Sequence, residues 1–245
     1  MVNAMLLAAG LGTRLRPLTD DTPKPLINVG GEPVILRSLH ALKEAGVKRT
    51  VINTHYLAPQ IERTVKAATQ NWPMQVLFSY EKELLETGGG LKKALPFLGD
   101  APFLVVNSDA VWDDTAAPLL RPLLKKFDVT KHDVLMAVVK ENTVRDFRQE
   151  GGDFRLTKAS PKFTRPVNRD QCNVVYAGIH ITHPAFIAFE AAQKFSLVKP
   201  WQEALAQGRL HGWLYPEKWI DMGTHVGLQV ARDWVAETRR HREED

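Results

Sequence analysis

Two glycines and two cations near the start of the chain, with two aspartates far apart in it, have types and spacing suited to phosphate chemistry. The run Leu6-Leu7-Ala8-Ala9-Gly10-Leu11-Gly12-Thr13-Arg14-Leu15-Arg16-Pro17 sets a Gly-rich turn directly after an apolar segment. Glycine lets backbone N–H groups turn inward and approach a phosphate that a side chain would keep at a distance. Arg14 adds a planar, permanently charged fork for phosphate oxygens. Lys24 stands between Pro23 and Pro25, and the stiff proline backbone suits a fixed point charge. Asp109 follows the apolar run Phe103–Asn107, and Asp221 follows Trp219-Ile220. A lone aspartate after a strand is commonly a turn former. Two in like contexts, at strand ends that face the ligand crevice of an α/β sheet, point to shared work. Mg2+ suits such a pair, because it takes one or two carboxylates and fills its remaining positions with phosphate oxygens and water.

Other phosphate loops fit less well. No Gly-Lys dipeptide occurs, so the Walker A pattern is absent. The dinucleotide pattern asks for a third glycine where Leu15 stands, and for an acid after the second strand, where the chain reads Asn53-Thr54-His55.

The elements that must hold these residues alternate short apolar runs with longer helical patterns, the signature of a mostly parallel sheet covered on both faces. Strands are expected at Ala4–Ala9, Arg49–Asn53, Gln75–Tyr80, Phe103–Asn107, Asp133–Val139 and Val174–Ile181. Helices are expected at Val34–Ala45, which stops at Gly46, at Ala58–Ala68, around Gly90–Leu95 and at Gly227–Arg239. Between Asn142 and Asn173 the chain turns polar, with Gly151-Gly152, Pro161 and Pro166, and suits short antiparallel strands and loops. The expectation is one domain over residues 1–245, with an insertion at about 140–175 on the acceptor side.

Composition narrows the class of protein. With 245 residues, 44% of them hydrophobic and 24% charged, the chain can close a sizeable core. The net charge of +4 is mild and its basic residues are scattered, which argues against a nucleic-acid partner. Cys172 is the only cysteine, so no intrachain disulfide forms and a reducing compartment is favoured. No apolar run is long enough for a membrane span, and Met5–Ala9 is too short for a signal segment. A soluble, cytoplasmic protein is expected. The eight histidines lack metal-ligand spacing, and His55, His180 and His183 read as strand-end or loop residues. Nothing here reports on oligomeric state.

Leu6–Pro17 together with Lys24-Pro25 resembles the signature of the sugar-1-phosphate nucleotidyltransferases, and the likeness runs from the first strand to Gly223-Thr224. The resemblance implies a Rossmann-like mixed, mostly parallel sheet with helices on both faces, the nucleotide-diphospho-sugar transferase fold. It implies Ala8, Gly10, Gly12, Thr13, Arg14 and Lys24 on the nucleotide, with Arg14, Lys24 and Asp109 catalytic and Asp109 and Asp221 binding magnesium. It sets Glu81 and the backbone of Glu86–Gly88 near the nucleobase, and the three glycines Gly88-Gly89-Gly90 read as close approach to a flat base. On the sugar side it implies Asn107, Gly152, Arg165 and Asn173; each alone could equally be a turn or strand-end residue. The chain departs from the family at Ser108, where a glycine is usual, and at Phe163-Thr164-Arg165-Pro166, where relatives often have Glu-Lys-Pro.

Leu85–Gly90, Pro102–Trp112, Tyr176–Pro184 and Ala206-Gln207-Gly208-Arg209 resemble the bacterial N-acetylmuramate α-1-phosphate uridylyltransferases of cell-wall recycling, enzymes without a C-terminal β-helix. The implied reaction is transfer of UMP from UTP to a sugar 1-phosphate. Two alternatives stay open: a dTTP- or GTP-dependent hexose-1-phosphate enzyme, and a non-catalytic regulatory protein that binds sugar nucleotides.

Overall fold

The computed structural model describes residues 2–112, 117–140, 152–157, 160–164, 171–216 and 218–244. In chain order the strands are β1 (Asn3–Leu7), β2 (Asn28–Val29), β3 (Glu32–Pro33), β4 (Arg49–Thr54), β5 (Gln75–Tyr80), β6 (Phe103–Asn107) and β7 (Ala110–Trp112). They continue with β8 (Val134–Lys140), β9 (Arg155–Thr157), β10 (Ser160–Thr164), β11 (Val174–Thr182), β12 (Leu210–Leu214) and β13 (Trp219–Asp221). The helices are α1 (Val34–Glu44), α2 (Ala58–Thr69), α3 (Glu86–Leu98), α4 (Ala117–Lys126), α5 (Pro184–Ala188), α6 (Val198–Ala206) and α7 (His225–Glu244).

Among the described residues the main sheet has nine strands in the order β5-β4-β1-β6-β11-β8-β12-β10-β9. β5, β4, β1 and β6 are mutually parallel, and β11 enters antiparallel between β6 and β8. The mixed, mostly parallel sheet expected from the sequence is present. β1 alternates its burial as a central strand must: Ala4 and Leu6 join the core under α1, α2 and α4, while Met5 joins the core under α3 and α5. β1 ends two residues earlier than the apolar run suggested, which frees Ala8 and Ala9 for the loop beyond it. α3 begins four residues before the helix expected at Gly90.

Pairings that local pattern does not reveal matter most for the site. β7 and β13 form a separate two-stranded antiparallel ribbon, with Asp221 opposite Ala110. A satellite core joins Leu15, Ile27 and Val29 to Val111, Ile220 and Met222, under Leu228, Ala231 and Val235 of α7. Full burial of each larger side chain stabilises by roughly 1.5–3 kcal/mol, so this cluster fixes the glycine loop against the ribbon. His225 Nε2 lies 2.9 Å from the Arg16 carbonyl, and Arg232 Nε donates to the Asn28 carbonyl at 3.1 Å, which strengthens the same clamp.

Candidate active site

A cleft of about 440 Å3 opens at the C-terminal ends of β1, β4 and β6. Its lining includes Ala8, Gly10, Gly12, Thr13, Arg14, Lys24, Asn53, Glu86, Asn107, Asp109 and Gly223. Gly12 lies at φ 68°, in the left-handed region, and a Cβ there would stand 2.9 Å from Thr19 Cγ2 and 3.1 Å from Lys24 Cβ. Only glycine fits that turn without strain. Gly10 differs: a Cβ on it would meet no protein atom within 4 Å, so this glycine keeps space open in the cleft.

The charged groups converge at Gly223. A Cβ built on that residue would lie 2.8 Å from Arg14 Nη2, 2.8 Å from Asp221 Oδ1 and 3.3 Å from Lys24 Nζ. Gly223 N donates to Asp221 Oδ1 at 2.8 Å, which fixes the carboxylate. Lys24 Nζ forms an ion pair with Asp109 Oδ2, both groups mostly buried. Met222 N donates to the Asp109 carbonyl at 3.2 Å, so the ribbon brings the two aspartates to one edge of the cleft. Residues more than a hundred positions apart thus meet beside the glycine loop.

Behind the cleft runs a buried polar brace. Ala8 N donates to Asn53 Oδ1 at 2.9 Å, and Asn53 Nδ2 donates to Glu81 Oε1 at 2.7 Å. Glu81 Oε2 accepts from Leu85 N at 2.9 Å. The carboxylate of Glu81 is sealed from solvent and lies behind the lining, so it ties the glycine loop to the start of α3 rather than facing a base. Burying such a group without partners would be costly; here both oxygens accept hydrogen bonds.

The three glycines of α3 have a reason other than the expected one. A Cβ on Gly88 would come within 2.9 Å of the Phe195 carbonyl oxygen and overlap its ring, and one on Gly89 would strike the Gln193 carbonyl. A Cβ on Gly90 would sit 2.5 Å from Glu81 Oε1 and 2.8 Å from Asn53 Nδ2. Close packing by protein, not by a base, requires them. Gly88 N is bonded to the Phe195 carbonyl at 2.9 Å, and Gly88 is buried beside the cleft rather than in its lining. Glu86 does line it, at φ 62°, a strained conformation for a residue with a side chain.

On the acceptor side, Asn107 lies in the lining at the end of β6. Gly178 has φ 73° in the β11 irregularity, and a Cβ built on it would lie 3.3 Å from Asn107 Cβ. Asn173 instead exchanges hydrogen bonds with the Leu156 backbone, at 2.8 and 2.9 Å. Gly152 packs against the Val174 carbonyl at 2.6 Å from a built Cβ, and neither residue lines this cleft. Arg165 lies outside the described residues. Nearby, burial raises the Tyr176 phenol pKa well above its usual value, and the Asp109 and Asp153 carboxylates raise it further. Its oxygen lies 2.8 Å from His180 Nδ1, and burial holds the His180 pKa at about 3. Sequence reading passed over Asn53, Ser196 and Gly223 of this lining as site residues. Asn53 was visible only as the residue standing where a ribose-binding acid would.

The fold and this cleft define a nucleotide-handling α/β protein. Residues 3–151 match the nucleotidyl transferase family, to which the chain belongs, and it is a nucleotidyltransferase. It is 34% identical over 236 residues to the N-acetylmuramate alpha-1-phosphate uridylyltransferase of Caulobacter vibrioides, covering 96% of this chain and 97% of that one. It is 35% identical over 234 residues to the enzyme of the same name from Neisseria meningitidis, covering 94% and 97%. In fold it is similar to a Bacillus anthracis protein assigned as a glucose-1-phosphate thymidylyltransferase, solved with a sucrose. That likeness has a TM-score of 0.81 at 20% identity, over 96% of this chain and 95% of the other. The resemblance read from the sequence holds along nearly the whole chain.

Proposed function

We propose that this chain transfers UMP from UTP to a sugar 1-phosphate, namely N-acetylmuramate α-1-phosphate, in the cytoplasmic recycling of cell-wall sugars. A phosphate oxygen of the sugar attacks the α-phosphorus of UTP, the bond to the β-phosphate breaks, and pyrophosphate leaves. The gathering of Arg14, Lys24 and Asp221 around Gly223, with Asp109 on Lys24, carries the reading. Two anionic substrates repel one another, and fixed cations at the point of charge development are the means to bring them together. The attacking oxygen is already ionised, so no general base is required. The two relatives named as uridylyltransferases support UTP and the acceptor.

The donor set fits Mg2+. Among the described residues no group of three His, Cys, Asp or Glu side chains could hold a metal ion. An aspartate in the turn before β7 and another at the end of its partner β13, with phosphate oxygens from the substrate, suit a magnesium ion. Asp109 and Asp221 would hold it, and when bound it supplies positive charge between the phosphates. Lys24, paired with Asp109, holds its ammonium at the same edge, and Arg14 presents its guanidinium from the glycine loop.

Pyrophosphate release measured over a matrix of UTP, dTTP, GTP and several sugar 1-phosphates tests the reading. Turnover is expected with UTP and N-acetylmuramate 1-phosphate. Asp109→Asn and Asp221→Asn keep side-chain shape, and each is expected to lower turnover at least about a hundredfold while the protein still unfolds in one cooperative transition well above the assay temperature. Wild-type rates in both variants would remove the metal assignment. Nucleotide binding with no pyrophosphate release from any pair would favour a regulatory protein.

A further inference from the structure

Lys24 stands where the two aspartates meet. Its ammonium forms an ion pair with Asp109 Oδ2, the two side chains being 13% and 24% exposed. Lys24 Nζ, Arg14 Nη2 and Asp221 Oδ1 all lie within 3.3 Å of the point where a Cβ on Gly223 would stand. Leu26 N donates to the Pro23 carbonyl at 2.8 Å and Ile27 N to the Lys24 carbonyl at 3.1 Å, which fixes the turn that carries the lysine. Ser108 N donates to the Leu7 carbonyl at 3.2 Å, and the Asp109 carbonyl accepts from Met222 N at 3.2 Å, which fixes the aspartate. Any exchange of partners in this cluster therefore falls to the side chains.

The charges of the cluster cancel, Arg14 and Lys24 against Asp109 and Asp221. A divalent cation set on the two carboxylates leaves a net double positive charge, with an ammonium in contact with one of its ligands. Water screens that repulsion poorly where both partners are mostly buried. Asp109 has a second oxygen, so the obstacle is charge rather than a lack of lone pairs. A nucleoside triphosphate reverses the balance, because its complex with magnesium is still an anion and its phosphates offer the ammonium another partner. The flexible four-carbon stem lets that ammonium turn from carboxylate to phosphate while the backbone stays in place.

We propose that Lys24 guards the metal site: while it holds Asp109 it keeps a divalent cation off the two aspartates, and the triphosphate admits the metal by drawing the ammonium away. The inference rests on the magnesium and uridylyl readings above. One lysine then has two opposed effects, weakening the hold on bare metal and strengthening the hold on metal with nucleotide. The cluster is loaded with both together, not with metal alone.

The test is electron paramagnetic resonance of Mn2+ titrated into the whole protein without nucleotide, beside calorimetric titration with UTP in magnesium. Lys24→Gln removes the charge and keeps an N–H for Asp109. It is expected to tighten Mn2+ binding at least about tenfold and to weaken UTP binding by about tenfold or more. A residue that merely props the site would weaken both when lost. Lys24→Met gives the same reading should the glutamine variant not fold, and Lys24→Arg, which keeps the charge, is expected to bind Mn2+ as weakly as wild type. Adding Asp109→Asn to Lys24→Gln is expected to abolish the gain. Unchanged or weaker Mn2+ binding in Lys24→Gln, with UTP binding by the wild type intact, overturns this inference and leaves the uridylyl reading standing. Unchanged UTP binding in that variant also overturns it, since the ammonium then never passes to the phosphates. A gain that survives Asp109→Asn overturns it together with the magnesium assignment. Absence of UTP binding by the wild-type protein would overturn the uridylyl reading, and with it the release by triphosphate, whatever the Mn2+ titrations show.

Discussion

Gly10 and Gly12 sit two residues apart in one loop and answer different demands. Gly12 serves the fold, since its positive φ and the closeness of Thr19 and Lys24 leave no room for a side chain. Gly10 has no protein neighbour within 4 Å of a built Cβ and serves the space in front of the loop. Alanine separates the two. Gly12→Ala is expected to lower stability by about 1–3 kcal/mol and to displace Lys24, reducing kcat/KM as well. Gly10→Ala should unfold within about 0.5 kcal/mol of wild type, yet raise the nucleotide Kd at least tenfold, because its methyl group stands where the ligand must come. Urea unfolding beside nucleotide titration checks both; a Gly10→Ala protein that binds normally would mean the phosphates lie elsewhere. The loop was legible in the sequence because close backbone approach leaves only glycine at particular places. The same reasoning misassigned Gly88, Gly89 and Gly90. A glycine records that something comes close, not whether that is ligand or protein.

At the scale of elements, the strands bearing the glycine loop and Asn107 were readable from short apolar runs, and α1 and α2 from helical spacing. The brace between them was not. Asn53, Glu81 and Leu85 are joined by side-chain geometry across β4, β5 and α3, which no local pattern encodes. Gly90→Ala probes it. In an unconstrained helix interior, alanine for glycine gains about 1 kcal/mol. Here the added Cβ would come 2.5 Å from Glu81 Oε1 and 2.8 Å from Asn53 Nδ2. Driving those groups apart leaves buried partners unsatisfied, at about 1–3 kcal/mol each, so the clash outweighs the propensity gain. A net loss of stability is expected, along with weaker nucleotide binding, since Ala8 N loses its fixed partner. A stabilised Gly90→Ala protein would show that the brace yields freely and does not position the loop.

The whole molecule adds what neither residue nor element contains, namely which distant segments meet. Asp221 is outside the cleft lining but is held against Gly223 of that lining because β13 pairs with β7 and α7 packs on the loop, contacts that close long stretches of chain. The likeness of context around Asp109 and Asp221 hinted at shared work, but their ribbon left no periodic trace in three-residue strands. The same long-range assembly buries His180, through the antiparallel insertion of β11 between β6 and β8. Its ring stacks edge-on with Trp201 at 5.4 Å, and burial lowers its pKa from 6.5 to about 3. In the unfolded chain the imidazole takes up a proton below about pH 6.5, while in the folded protein it stays neutral until about pH 3. Stability is therefore full above pH 6.5 and declines as pH falls toward 3, by about 2 kcal/mol at pH 5 from this residue alone. His180→Phe keeps an aromatic ring against Trp201 and removes the titration. It leaves the Tyr176 hydroxyl without its His180 partner, which lowers stability at every pH but does not alter the slope. Urea unfolding at pH 7, 6 and 5 should show the wild type losing about 2 kcal/mol more than the variant across that range. Parallel losses in the two proteins would mean that His180 protonates as freely in the folded protein as in the unfolded chain.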